Sequence, residues 1–147
     1  ILFTFFFCMT LNSLSKDSEL KIISNSLKID MEKKVSTFVG DVYANNTDVK
    51  LWSQEMIVNL EKETDEIDEI LAKGNIKMII LNRGSEIYGD NARYFVNDDS
   101  IIITGNVLVK ENGNEITGEK LIVDLTNSSS IMESSASNRV EATIINN

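Results

Sequence analysis

The residues of this chain best equipped for chemistry are carboxylates. It carries 23 Asp and Glu against 14 Lys and Arg, a formal net charge of -9, and no His. Without His it lacks the usual general base and the commonest metal ligand. The serines at 128–130 and 134–135 have no imidazole to activate them. The densest acidic run, Glu61 to Glu69, lies within LEKETDEIDEIL. Glu63, Asp65, Asp68 and Glu69 have the oxygen chemistry of a calcium site, but without an EF-hand's spacing or its Gly. A solvated face is the favoured reading. Two carboxylates can cleave a glycoside, yet no pair is set apart from the rest. There is no nucleophile elbow or metal motif, and Gly84 and Gly89 stand too isolated to cradle a phosphate. The expectation is a chain that is not an enzyme and uses no cofactor and no metal. The acidic balance also argues against nucleic acid as a partner, because phosphate binding needs a basic surface.

The elements that would position any site are strands. Residues of hydrophobic type make up 42% of the 147, enough for a core in one domain. Leu27-Lys28-Ile29-Asp30-Met31 alternates apolar and charged. Met56-Ile57-Val58-Asn59-Leu60 and Leu121-Ile122-Val123-Asp124-Leu125 each put three apolar residues on one face. Turn clusters separate the runs at Asn45-Asn46-Thr47-Asp48, Asn97-Asp98-Asp99-Ser100 and Glu111-Asn112-Gly113-Asn114. After Leu60 the acidic segment is read as a loop leading into a strand at Ala72, with a short helix through Ile67, Ile70 and Leu71 as the alternative.

The strands repeat. Gly40-Asp41-Val42 and Gly105-Asn106-Val107 are 65 residues apart, and the same offset lays Ser53 on Gly118, Met56 on Leu121, Val58 on Val123 and Leu60 on Leu125. Gly74-Asn75-Ile76 is a third copy. Period two puts Phe38, Gly40, Val42 and Ala44 on one face, as it does Ala72, Gly74, Ile76, Met78 and Ile80, and Ile101, Ile103, Gly105, Val107 and Val109. Each glycine therefore interrupts an inward apolar row. It either bends the strand or leaves room for a ligand. Val39, Ile57, Phe95, Ile102 and Ile122 point the other way, as scattered surface residues or as a second packing or subunit surface. The expected class is all-β, a sandwich, roll or barrel built from strand–Gly–strand units.

The uncharged stretch Ile1 to Leu14, ILFTFFFCMTLNSL, is shorter than the roughly 20 residues of a membrane-spanning helix. It reads as the later part of a secretory signal peptide, truncated upstream, with Ser13-Leu14-Ser15 as cleavage site. An uncleaved anchor and a buried core strand are the alternatives. Residues 1–15 are thus assigned to the leader and 16–147 to one β domain. Cys8, the only cysteine, has no disulfide partner, and Phe5-Phe6-Phe7 before it is wrong for lipidation.

From Ile23 to Thr143 the chain resembles the LptA/OstA-like periplasmic lipopolysaccharide-transport proteins. Ser24-Asn25-Ser26-Leu27-Lys28-Ile29-Asp30 followed by Phe38-Val39-Gly40-Asp41-Val42 is similar to the family's S-x-x-L-x-V/I-D … F-x-G-N-V opening. The match continues through Gly89-Asp90-Asn91-Ala92-Arg93-Tyr94, Ile101 to Val107 and Ile116-Thr117-Gly118-Glu119-Lys120-Leu121, and Arg139-Val140-Glu141-Ala142 resembles the final strand.

The resemblance implies an open, twisted antiparallel β-jelly roll. It implies a periplasmic protein of the Gram-negative envelope that carries lipid A acyl chains inside and forms part of a bridge from inner to outer membrane. Acyl contacts would then fall to Leu27, Ile29, Phe38, Val42, Met56, Val58, Leu60, Ile76, Met78, Ile80, Ile101, Ile103, Val107, Val109, Leu121, Val123 and Leu125. The implied partners are lipopolysaccharide, an inner-membrane LptC-type protein and an outer-membrane LptD-type protein, joined by end-strand addition, with head-to-tail self-association as a further expectation. Alternatives are an LptC-type or LptD N-terminal-type domain of the same pathway, or a purely structural self-stacking envelope domain. Charge is a departure, since lipid A phosphates favour a basic rim. Arg83, Arg93, Lys77, Lys110 and Lys120 are the cations available to serve locally.

Overall fold

Four strands carry a Gly-Asn or Gly-Asp dipeptide near their centre, and at three of them the backbone cannot run straight. Those three dipeptides adopt consecutive left-handed conformations, with φ of 87° and 45° at Gly40-Asp41, 84° and 49° at Gly74-Asn75, and 82° and 48° at Gly105-Asn106. Such a pair inserts a bulge and turns the strand. Glycine is required at the first position, where φ is strained for any side chain. At Gly105 there is also no room, because a Cβ would collide with the Asp90 side chain on the neighbouring strand. Asn25 and Gln54 stand in the same relation to Gly40 and Gly74. The glycines therefore bend the strands, and the space beside them is filled by protein, not left for a ligand.

The computed structural model describes residues 19–135 and 137–145. The leader reading of residues 1–15 and Cys8 lie outside them. Ten strands follow one another: β1 Lys21–Ile23, β2 Ser26–Asp30, β3 Val35–Asn45, β4 Val49–Leu60, β5 Ile67–Ile80, β6 Ser85–Phe95, β7 Ser100–Glu111, β8 Asn114–Asp124, β9 Ser129–Glu133 and β10 Glu141–Thr143. All pairings are antiparallel, mostly between consecutive strands. The sheet does not close. At one edge β1 and β2 lie in tandem along β3, and at the other β10 and β9 lie in tandem along β8. The 65-residue offset carries β3 onto β7 and β4 onto β8, so the repeat is a hairpin.

The bulges line up across the sheet. Register shifts fall at Val39/Val42, Trp52/Glu55, Lys73/Ile76, Tyr88/Asn91 and Thr104/Val107. The sheet folds along this line, bringing the apolar faces of its two halves together. In β3, β5 and β7 the Gly-Asn/Asp bulge preserves the inward parity. In β4, β6 and β8 parity switches: Ser53 then Met56, Ile87 and Gly89 then Ala92, Gly118 then Leu121. A cross-strand row Phe38–Met56–Ala72–Ala92–Ile103–Leu121–Met132 runs along the inner face of one half. Val42, Met56, Ile76, Met78, Ile103, Val107 and Val123 are fully buried.

One strand boundary differs from the expectation. β5 begins at Ile67, not Ala72, because Ile67 is buried and pairs with Leu60. The loop is only 61–66, and no helix forms at Ile67, Ile70 and Leu71. The Glu61 carboxylate holds the loop by accepting from the Thr64 N–H (2.8 Å), the Thr64 hydroxyl (2.9 Å) and the Glu63 N–H (3.0 Å). These bonds, those of Thr64 first, keep its pKa below the usual carboxylate range. Of the four acids weighed for calcium, Asp65 pairs with Lys34 and Glu69 with Arg93.

Candidate functional site: the interior of the roll

The inner face is not filled evenly. In its central row, Ala72 sits directly opposite Ala92 between bulkier neighbours, and Ala44 occupies the inner face of β3. Three small side chains where the flanking positions hold Met56, Met78 and Ile80 leave a cavity of about 290 Å³ between the half-sheets. Its walls also include Leu20, Leu51, Ile70, Ile101 and Leu125. The mouth is polar, formed by hairpin turns of both halves that present Asn46, Asp48, Asn82, Arg83, Asp99 and Ser128. Interior cavities of this kind, apolar with a few convergent polar groups, are the usual form of a small-molecule seat.

Tyr94 fixes one wall. Its hydroxyl donates to Asp99 Oδ1 at 2.9 Å, tying the β6–β7 turn to the cavity. Burial and the Asp99 carboxylate hold its pKa well above the usual phenol range.

The residues proposed from the sequence to touch acyl chains divide into three groups. Met56, Met78, Ile80, Ile101 and Leu125 border the cavity. Val42, Val58, Leu60, Ile76, Ile103, Val107, Leu121 and Val123 lie in the surrounding core, where Phe38 and Val109 pack against them. Leu27 and Ile29 stand apart on the edge strand β2, Leu27 being 37% exposed. The sequence reading missed Ala72, Ala92, Leu51, Ile70, Tyr94 and, Arg83 apart, the polar mouth. Ala72 already shared the inward row with Met78, and that was the available signal.

Of the outward residues, Ile57, Ile102 and Ile122 share one cross-strand row on the outer face with Leu71, Arg93 and Ile131, whereas Val39 and Phe95 stand outside it, opposite Glu55 and Ser100.

An unclosed antiparallel roll around an apolar interior defines the class, an LptA-like β-jelly roll. The fold superposes with a TM-score of 0.76 on LptH, the LptA-homologous periplasmic component of the lipopolysaccharide transport device of Pseudomonas aeruginosa, at 17% identity over 86% of this chain and 95% of that one. Residues 21–129 match the family model described as LptA/(LptD N-terminal domain) LPS transport protein. The chain belongs to that family, whose members are transport proteins and not enzymes. Among its relatives, an uncharacterized protein of Rickettsia prowazekii (strain Madrid E) is 27% identical over 107 residues, 71% of this chain and 74% of that protein. The LPS-assembly protein LptD of Francisella tularensis is 30% identical over 125 residues, 78% of this chain but only 14% of LptD.

Proposed function

We propose that this protein carries lipopolysaccharide through the periplasm, holding acyl chain in the cavity between its half-sheets and leaving the sugars outside. The observation that carries the reading is an apolar cavity with a polar mouth in a fold of the lipopolysaccharide-transport family. Burying a chain there gains about 0.8 kcal/mol per methylene, and nothing in transport calls for bond making. The composite edges, β1/β2 and β9/β10, keep unpaired backbone groups available for strand addition by LptC-type and LptD-type partners or by a second copy. The Rickettsia relative and LptH, matched over most of their lengths, favour a bridge component. The match to a small part of LptD supports a second reading, a module of the LptD N-terminal type acting at the outer-membrane end of the same route. Pull-down by purified LptC-type and LptD-type domains separates the two: a bridge component binds both through opposite edges, and an LptD-type module lacks the LptC contact. Binding of lipopolysaccharide by the purified chain tests the shared premise, and absence of binding would contradict both readings.

A further inference from the structure

Of the five cations available to answer an anionic head, the fold spends four elsewhere. Arg93 donates to Glu69 at 2.8 Å and lies over the Phe95 ring. Lys77 lies over Trp52, and Lys110 over Tyr88 beside Glu115. Lys120 stands in an outward row between Thr104 and Glu133. Arg83 alone of the five lines the cavity. It sits half-buried in the β5–β6 turn, and no carboxylate of the described residues lies within 4.0 Å of its guanidinium. Two carboxylates share the mouth, Asp48 and Asp99. Asp99 is engaged by the Tyr94 hydroxyl. A guanidinium cannot shed its proton, so in a chain of net charge -9 this one remains a charged, unpaired donor fork beside an apolar cavity.

We infer that Arg83 seats the anionic head of an amphiphile whose acyl chain lies in the alanine-lined cavity. The inference rests on the carrier reading and adds to it a headgroup anchor. The shared chemistry is a phosphate or carboxylate accepting from the guanidinium, which fits either bidentately.

The test is displacement of N-phenyl-1-naphthylamine from the full chain by dodecyl phosphate, dodecanoate and dodecyl maltoside, each below its micelle concentration. All three are expected to displace the probe. Arg83→Gln, which keeps the turn's backbone bond from Arg83 N–H to the Ile80 carbonyl, is expected to weaken dodecyl phosphate about tenfold or more, the scale of a lost charge-assisted hydrogen bond. Dodecyl maltoside should stay within twofold, and Arg83→Lys should restore part of the loss. Dodecanoate tighter than dodecyl phosphate would assign the seat to free fatty acids, and a tighter phosphate to phosphorylated lipid heads; either upholds it. If Arg83→Gln moves phosphate and maltoside alike, or neither, the anion seat is overturned and the carrier reading stands. If none of the three displaces the probe from the native chain, both fail.

Discussion

The interior of this roll has two regions built from the same strands. At the waist, Ile76, Ile103 and Val107 flank the bulges and are almost wholly buried, and Ile103 has 0% exposure. In the same cross-strand row as Ile103, Ala72 and Ala92 face one another and leave a cavity open to the turns. Large branched side chains close the fold around Ile103, and small ones keep it unfilled on the cavity side. Stability and binding should therefore respond to different substitutions, although both regions read as one inward apolar row.

The largest effect should come from the waist. Ile103→Ala should cost about 3–4 kcal/mol in urea unfolding, because a filled site cannot collapse around the deletion. A cost below about 1 kcal/mol would mean that the waist is as loose as the mouth. Next is the bend itself. Gly105→Ala should cost about 2 kcal/mol, from left-handed backbone strain and the collision with Asp90; a neutral result would remove the bulge from the account. Ala92→Leu sharpens the comparison most. Filling the cavity should leave stability within about 1 kcal/mol of native, yet weaken apolar-probe binding at least tenfold. Unchanged binding would place the ligand elsewhere.

Two smaller effects probe polar groups at the edges of these regions. Ser36 is buried opposite Val58 with a hydroxyl that has no hydrogen-bond partner among the described residues. Ser36→Ala should raise stability by about 1 kcal/mol, removing an unmet desolvation cost, and a loss would reveal a partner bond. The smallest effect is acid weakening of the turns. Glu61 and Asp124 have folded pKa values below their ordinary ones, through bonds from Thr64 and Asn127 respectively. Their contribution is present above the unfolded pKa and fades as pH falls through the folded one. Glu61→Gln should flatten the stability curve below about pH 4.5, and an unchanged curve would assign the acid loss elsewhere.

How much of this was legible in the sequence depended on parity. β3, β5 and β7 keep period two through their glycine bulges, so Phe38, Val42, Ile76, Met78, Ile103 and Val107 were read onto the inner face. The 65-residue offset likewise marks the hairpin repeat in the sequence itself. β4, β6 and β8 switch face at their centres, and there period two fails. Ile87, Ala92 and Tyr94 do not share one parity, which hid β6 from the reading. The cavity was hidden for another reason: it arises from small residues that meet only across strands. Arg83 was noted as one cation of five. Only the fold separates it from the four turned outward or paired.

The central claim is that the alanine-lined cavity, and not the outer face, holds the acyl chain. Photo-crosslinking tests it most directly, with p-benzoylphenylalanine placed at Leu51 on the cavity wall and at Ile122 in the outer row, in the presence of lipopolysaccharide. The account predicts lipopolysaccharide adducts at Leu51 and none at Ile122. Adducts at Ile122 alone, or equal adducts at both, would contradict it.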